Sequence, residues 1–179
     1  MANTHPGWDV FRTVNEFVRF SDTKAAIILA FAGGSAAFLS ARADILHDII
    51  RAHKVDGWGL TLYFAILVYL FALFFTVLAA LRSVWPALGG VEEERSLIFF
   101  RHIAEDFKGK HREYAKALGD LDDQSLAGQL AQQICANAAI ATNKFHLVAR
   151  AVRGLVVALS AWALIMILLL LIGPAVSAG

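Results

Sequence analysis

Three long stretches of this sequence contain no Asp, Glu, Lys, Arg or His: residues 25–41, 58–81 and 154–173. At the helical rise of about 1.5 Å per residue they reach roughly 26, 36 and 30 Å, against a hydrocarbon core of about 30 Å. Each stretch is therefore long enough to cross a bilayer. The composition agrees, because 58% of the 179 residues are hydrophobic and only 17% are charged, whereas soluble domains carry roughly a quarter charged residues. We expect an all-α membrane protein with three transmembrane helices.

The ends of two stretches carry further signals. Trp58 and Trp85 are 27 residues apart in the sequence, which corresponds to roughly 40 Å of helix and to a bilayer with its headgroups. A cleaved signal peptide is the competing interpretation of residues 25–41. That run is longer than the usual apolar core of about 7 to 15 residues, and charges of both signs precede it. We therefore interpret residues 25–41 as a retained span.

Lys and Arg are distributed unevenly around the three spans. There are three in residues 1–24, three in residues 42–57, ten in residues 82–153 and none after residue 173. With three spans, the amino terminus and residues 82–153 share one side, and cytoplasmic segments are the ones rich in Lys and Arg. We predict a multi-pass protein with a cytoplasmic amino terminus, a periplasmic loop at 42–57 and a periplasmic tail at 174–179.

The segment between the second and third spans has helical periodicity. Apolar side chains recur every three or four residues in two stripes, which are separated near Gly119. The first stripe consists of Leu97, Phe100, Ala104, Phe107, Tyr114 and Leu118, interrupted by His111. The second stripe consists of Leu130, Ile134, Ala138, Ala141, Phe145, Val148 and Val152. We predict that residues 82–153 form a cytoplasmic antiparallel helical hairpin, which is a candidate sensor.

Two neighbouring segments extend this pattern. No helix breaker separates the second stripe from residues 154–173, so one helix should run from about Ser125 into the membrane, after an acidic N-cap between Asp120 and Asp123. Residues 1–24 are expected to form a cytoplasmic amphipathic helix. Its apolar side chains are Trp8, Phe11, Val14 and Val18. This helix could lie on the membrane surface or pack on the hairpin.

The sequence offers no chemistry of the common enzyme classes. It has no P-loop, no dinucleotide fingerprint, no His-Glu-x-x-His and no Gly-x-Ser-x-Gly motif, and its six histidines are dispersed. A net charge of +1 gives no electrostatic reason for a nucleic acid partner. The single cysteine, Cys135, is expected to be a buried small hydrophobe. We predict no catalytic residue, no metal and no cofactor.

The first span is rich in small residues at helical spacing. Those we expect to pack helices in the membrane are Ala26, Ala30, Gly33, Gly34 and Ala37. Small residues four apart let two helix backbones approach closely. The simpler interpretation is packing within one subunit, and the alternative is a homo-oligomer.

Several different short motifs follow one another along most of the chain. They are Ser21-Asp22-Thr23-Lys24-Ala25, Trp85-Pro86, Phe99-Phe100-Arg101-His102-Ile103-Ala104, Tyr114, and Gln133 through Asn137 to Lys144-Phe145. In this order and spacing the chain resembles the transmembrane effectors of the Pycsar antiphage systems (PycTM). The pattern of that family commonly has glycine at the position of Arg101.

The resemblance implies a function in antiviral defence. In such systems a partner pyrimidine cyclase makes cyclic CMP or cyclic UMP on phage infection, and the effector then damages the bacterial inner membrane. The infected cell dies before the phage matures. The implied partners of this chain are thus membrane lipid, a cyclic pyrimidine nucleotide and the cyclase, and no enzymatic activity of its own is implied.

Binding of such a nucleotide would need donors for its phosphate and an aromatic face for its base. The candidate residues are Lys24, Arg101, His102 and Lys144 for the phosphate, with Phe100 and Tyr114 for the base. Each also has a structural interpretation. Lys24 would anchor its helix at the membrane interface, and the two aromatic residues would belong to the core of the hairpin.

Two other functions stay open at this point. The protein could be a membrane anchor that recruits a soluble signalling enzyme through the hairpin. A constitutive small channel is disfavoured, because the spans contain no ionisable side chain of the kind that transport pathways usually place near the midplane.

Overall fold

The computed structural model describes residues 6–52, 57–85 and 95–176, and these residues form six helices and no strand. The helices are α1 Gly7–Ser40, α2 Ala43–Ala52, α3 Gly57–Val84, α4 Phe100–Asp106, α5 His111–Gly119 and α6 Asp123–Val176. Three of them, α1, α3 and α6, contain segments long and apolar enough to cross a membrane. The prediction of an all-α chain with three candidate spans is confirmed.

The chain divides into two compact units. One, here called the polar unit, takes the described residues among 1–21 and 86–144. The other, the apolar unit, takes those among 22–85 and 145–179. Both α1 and α6 contribute residues to each unit.

In the apolar unit small residues are frequent among the buried side chains, and many large apolar side chains are exposed. Eight of its buried residues are alanines: Ala25, Ala32, Ala65, Ala72, Ala80, Ala151, Ala158 and Ala161. Phe64 and Phe71, by contrast, are each 68% exposed and Leu170 is 76% exposed. Helices that associate in lipid gain little from burying large apolar groups, and they pack instead through small residues that allow close approach.

α6 approaches α3 closely at Gly154. A Cβ atom at this position would overlap Oγ1 of Thr76 on α3, and it would lie 3.5 Å from the carbonyl oxygen of Ala72. The Thr76 hydroxyl is fully buried and donates a hydrogen bond of 2.7 Å to that same carbonyl oxygen. The absence of a side chain at Gly154 is therefore what lets α6 contact α3 here.

A pair of buried hydroxyls also links helices of the apolar unit. The hydroxyl oxygens of Ser35 on α1 and Tyr69 on α3 are 3.0 Å apart, and Tyr69 is only 1% exposed. Ser35 donates its own proton to the Ala32 carbonyl oxygen at 3.0 Å, so Tyr69 is the donor in the pair. Both hydroxyl protons are thus satisfied in surroundings where an unpaired polar group would be costly.

The helix α6 is as continuous as the sequence predicts, and the helix α1 is longer than predicted. α6 begins at Asp123 and runs unbroken to Val176, as the lack of a breaker predicts. Asp122 is its N-cap, since its carboxylate accepts a hydrogen bond of 2.7 Å from the backbone N–H of Ser125. α1, Gly7–Ser40, runs without a break from the predicted amino-terminal segment into the first predicted span.

The predicted periplasmic loop at residues 42–57 contains a helix instead, α2. Its charged residues suggested a solvated loop, but Leu46 and Ile49 are three residues apart and face the same way on a helix. They are 7% and 1% exposed, and they join the core cluster with Leu62 and Tyr69 of α3. Burial of these two side chains explains why the segment is helical.

The prediction that the first half of the hairpin is one continuous helix is wrong. The chain leaves α4 at Asp106 and begins α5 at His111. Between them Gly109 has a φ of +75°, a conformation that glycine adopts without steric cost and that ends a helix. The stripe from Leu97 to Leu118 is consequently divided between two short helices. The antiparallel arrangement of the hairpin stays a prediction.

Candidate functional site

The candidate site lies in the polar unit, where the extended segment before α4 is attached to α6. The side-chain oxygen of Gln129 on α6 accepts two hydrogen bonds from this segment, at 2.8 Å from the backbone N–H of Leu97 and at 3.1 Å from the hydroxyl of Ser96. Ser96 is only 3% exposed. One amide on α6 thus holds residues 96 and 97 in place.

Side chains of α4 and α5 complete this attachment. Nδ1 of His102 accepts a hydrogen bond of 3.0 Å from the backbone N–H of Ser96. The hydroxyl of Tyr114 donates to the carbonyl oxygen of Leu97 at 2.9 Å. Residues from three helices, α4, α5 and α6, therefore contact the two-residue segment Ser96–Leu97.

An ionic cluster lies next to this network at the surface of the polar unit. Arg95 contacts the carboxylates of Glu105 at 3.2 Å and Asp106 at 2.9 Å, and Nε of Arg101 donates to Glu105 at 2.9 Å. The hydrogen bond from Arg101 is the largest cause that lowers the pKa of Glu105 from its ordinary value. Glu105 is exposed, so solvent screens these pairs and their contribution to stability is small.

A second polar contact joins α1 to α6 within the polar unit. The side-chain amide nitrogen of Asn137 donates to the side-chain oxygen of Asn15 at 2.9 Å. On the same helix Gln133 is 3% exposed. Trp8, Phe11, Val14 and Val18, the apolar side chains predicted for the amino-terminal helix, are all half-buried.

Four of the predicted nucleotide-binding residues lie on α4 and α5, and the structure gives them different surroundings. Phe100 is 67% exposed and its ring packs against Phe99 at 5.0 Å between centroids. Arg101 is paired with Glu105. His102 and Tyr114 both hold the segment at residues 96 and 97. Phe100 is thus the aromatic face of this group that is open to a ligand.

The two predicted lysines belong to different units. Lys24, in the apolar unit, is half-buried, and its ammonium lies 5.6 Å from the centroid of the Phe145 ring. This cation–π contact attaches α1 to α6. Lys144, in the polar unit, is half-buried on α6.

The residues predicted to pack helices in the membrane lie on the exposed side of α1. They are Ala26, Ala30, Gly33, Gly34 and Ala37. The helix instead turns Ala25, Ile28 and Ala32 inward. A Cβ atom at Gly33 or Gly34 would meet nothing within 4 Å. That these five residues pack helices in the membrane stays a prediction.

Several residues of the network were missed by the sequence analysis. Gln129, Gln133 and Asn137 are spaced four apart on α6, directly beside the predicted apolar stripe, and such a line of amides indicates a polar contact along a helix face. Ser96 carries no comparable signal. Cys135, predicted to be buried, is exposed, because it lies on the side of α6 away from Gln133.

No group of three or more His, Cys, Asp or Glu residues that could hold a metal ion occurs within residues 6–52, 57–85 and 95–176. The polar unit has a surface with the exposed ring of Phe100 and with two guanidinium groups, those of Arg95 and Arg101, which contact carboxylates. This surface lies beside the hydrogen bonds around Gln129. Such a surface can bind a ligand with an aromatic base and an anionic group.

Three apolar helices with large side chains outward, together with a polar unit held by side-chain hydrogen bonds, define a multi-pass helical membrane protein. The chain belongs to the Pycsar effector family, because the family model described as "PycTM: Pycsar effector protein domain" matches residues 7–172. It is thereby a membrane protein of antiviral defence.

A curated relative supports the assignment. The chain is 32% identical over 150 residues to the "Pycsar effector protein PtPycTM" of Propioniciclava tarda, an alignment that covers 81% of this chain and 69% of that protein. No solved structure matches the chain significantly.

Proposed function

We propose that this protein is the effector that senses a cyclic pyrimidine nucleotide, cyclic CMP or cyclic UMP, and impairs the bacterial inner membrane in response. A partner pyrimidine cyclase would supply the nucleotide on phage infection, and membrane damage would kill the infected cell. The protein itself would catalyse no reaction. The observation that carries this proposal is the family match over residues 7–172, which includes parts of both units.

The proposal places the polar unit in the cytoplasm as the sensor. Most Lys and Arg residues of the chain fall in residues 1–24 and 82–153, which favours a cytoplasmic position of these segments. The cyclase releases its product in the same compartment, so the ligand reaches the polar unit without crossing the membrane.

The nucleotide would bind on the surface formed by α4 and α5. The exposed ring of Phe100 offers a stacking face for the base, and the neighbouring Arg101 offers a donor for the cyclic phosphate. His102 and Tyr114 act as positioning residues in this proposal, because both are engaged with the segment before α4. Lys24 and Lys144 are further candidates for the phosphate.

Binding changes the protein only through a difference in affinity between its states. The network around Gln129 attaches the α4 region to α6, and α6 also contributes residues to the apolar unit. A nucleotide that binds better when this attachment is altered would therefore favour a different state of α6. We propose that this state is the one that damages the membrane.

The first test is membrane potential in bacteria that express the full chain. A voltage-sensitive dye is followed before and after the cells receive cyclic CMP or cyclic UMP, with cyclic AMP and cyclic GMP as controls. We expect depolarisation with a pyrimidine nucleotide only. If the inserted protein responds to none of the four, the scaffold function is the better one, and tight binding of a soluble partner without a permeability change becomes the expectation.

Two variants test the nucleotide residues. Phe100→Ala removes the exposed ring and should abolish the response, whereas Leu118→Ala removes a 43% exposed side chain of α5 and should keep it. Lys144→Ala is compared in the same way with Lys116→Ala, which removes an exposed ammonium group from α5. An unchanged response of Phe100→Ala or of Lys144→Ala, with normal membrane insertion, would remove that residue from the site.

A further inference from the structure

A groove lies between α1 and α6 within the apolar unit. Its volume is about 540 Å³, inside the range of about 300–1,000 Å³ that is usual for ligand sites. Its apolar walls include Ala30, Phe31, Gly34, Phe38, Leu159 and Trp162. Ser35 also lines it, and its hydroxyl is already engaged with Ala32 and Tyr69. The groove is therefore suited to an apolar chain.

The dimensions of the groove are those of a single leaflet. Ala30 and Gly34 form its shallow side on α1, and a Cβ atom at Gly34 would meet nothing within 4 Å. From Ala30 to Phe38 the groove follows α1 for about 12 Å, whereas half of the hydrocarbon core is about 15 Å thick. Because α1 is a candidate span, the groove has the length and direction of part of an acyl chain.

A positive charge is fixed at one end of this groove. Arg42 lies in the turn between α1 and α2, where its backbone N–H donates to the Leu39 carbonyl oxygen and its own carbonyl oxygen accepts from the N–H of Leu46, both at 3.0 Å. Its guanidinium carbon lies 5.2 Å from the centroid of the Phe38 ring. The backbone and the cation–π contact together hold the Arg42 side chain beside the groove.

The charge of Arg42 is available to an external anion. The residue is exposed, and within residues 6–52, 57–85 and 95–176 no carboxylate forms an ion pair with it. A guanidinium that stacks on an aromatic face keeps its N–H edges for the oxygens of a phosphate. Basic pockets between membrane helices bind anionic headgroups in this way.

The wall of the groove also contains an N–H group that lacks an acceptor. Nε1 of Trp162 is buried and has no hydrogen bond partner in the part of the chain that the structure describes. The Trp162 ring packs edge to face with Phe38 at 5.6 Å between centroids, about one helical turn from Arg42. A buried N–H without an acceptor is costly in hydrocarbon. An ester carbonyl oxygen, which lies next to the phosphate in a phospholipid, would supply the acceptor.

We propose that this groove binds one anionic phospholipid. The phosphate lies on Arg42, an ester carbonyl accepts from Trp162, and one acyl chain continues past Gly34. These three contacts follow one another in the order of the groups in a phospholipid. A helix of a second copy fits less well, because a groove of about two turns is short for the roughly 1,000 Å² that a specific protein interface buries.

Native mass spectrometry of the full chain tests this proposal. The chain is released from nanodiscs that contain equal amounts of phosphatidylglycerol and phosphatidylethanolamine with the same acyl chains. We expect one retained lipid per chain. Phosphatidylglycerol should exceed phosphatidylethanolamine among the retained lipids by about fivefold, which is the preference expected of one basic residue near the membrane surface.

Two pairs of matched variants locate the lipid. Arg42→Gln should abolish the preference for phosphatidylglycerol, whereas Arg51→Gln, at an exposed position in the last turn of α2, should keep it. Gly34→Leu fills the groove and should remove the retained lipid. Gly33→Leu adds the same side chain at the neighbouring exposed position, which does not line the groove, and should keep the lipid.

Several results would overturn the proposal. They are equal retention of the two lipids by the unsubstituted chain, a preference that survives Arg42→Gln, and equal lipid retention by the two leucine variants. If Gly34→Leu converted a dimer into a monomer without loss of lipid, the groove would be assigned to a second copy. Arg42→Gln changes an exposed side chain outside the helices, so the test does not depend on the folding of Gly34→Leu. No readout involves a nucleotide, so failure of this proposal is distinguishable from failure of the proposed function.

Discussion

At the scale of single residues, the apolar unit depends on a few positions where atoms of two helices are in direct contact. Gly154 and Thr76 are the clearest pair, because a single added carbon at Gly154 has no room. Small residues are frequent in all membrane helices, and the sequence alone did not distinguish Gly154 from the exposed Gly33 and Gly34. The difference comes from which side of each helix is covered, which requires the packed structure.

Substitution of Gly154 should therefore separate α6 from α3. We expect Gly154→Ala to destabilise the protein by about 1–3 kcal/mol through overpacking against Thr76, measured by unfolding in detergent. Gly128→Ala is the control on the same helix, where a Cβ meets nothing within 4 Å, and it should stabilise by about 0.5–1 kcal/mol through helix propensity. Adding Thr76→Ala should recover much of the loss. A double variant as unstable as the sum of its parts would contradict this explanation.

At the scale of elements, the sequence predicted the long helices well and the short ones poorly. Periodicity without a breaker indicated all of α6 from Ser125 onward, and the structure begins it at Asp123. α2 was missed because its ten residues are rich in charge and, of its described side chains, only Leu46 and Ile49 are buried. The break at Gly109 was missed because the apolar spacing continues across it. Short helices depend on contacts with other elements, and periodicity does not report such contacts.

The attachment of the α4 region to α6 should depend on one side chain. Gln129→Leu would leave the backbone N–H of Leu97 and the hydroxyl of Ser96 without their acceptor. A buried donor without a partner costs about 1–3 kcal/mol, so the amide of Leu97 should exchange with deuterium about tenfold faster or more. Gln124→Leu, at an exposed position in the first turn of α6, should leave that rate unchanged. Equal protection of Leu97 in both variants would show that Gln129 is dispensable.

The first turn of α6 should respond to acid. Hydrogen bonds from the hydroxyl and then the backbone N–H of Ser125 lower the pKa of Asp122 from its ordinary value. A lowered pKa in the folded state means that the stabilisation is present above the ordinary value, about 3.9, and is lost as the pH falls through the folded value. Amide exchange at Ser125 should accelerate in that range. Asp122→Asn retains the cap without titrating, so its exchange should lack this transition; a transition that persists would come from another group.

At the scale of the whole molecule, composition and uninterrupted apolar runs already defined a membrane protein with three candidate spans. The function did not follow from those features, because many unrelated proteins share them. It followed from short motifs and was supported by the family match. The partner of Gln129 was out of reach of the sequence, since Ser96 lies 33 residues away from it and carries no signal of its own.

The orientation of the chain can be measured with its own cysteine. Cys135 is exposed in the polar unit, and we predict a cytoplasmic position for this unit from the Lys and Arg distribution. A membrane-impermeant maleimide should therefore label Cys135 only after the cells are permeabilised. Ser40→Cys in a Cys135→Ser background, at the exposed end of α1, should be labelled in intact cells. Labelling in the reverse order would invert the topology and place the proposed sensor outside the cytoplasm.

The distribution of small and large side chains in the apolar unit also determines which sequence changes the protein can accept. In a water-soluble core, large apolar residues are confined to the inside and the surface varies freely among polar ones. Here the restriction falls on small residues between helices, and at Gly154 one added methyl group overlaps Thr76. The outward-facing phenylalanines and leucines need only remain apolar. Sequences of this unit can therefore drift widely among large hydrophobic residues while the small positions stay fixed.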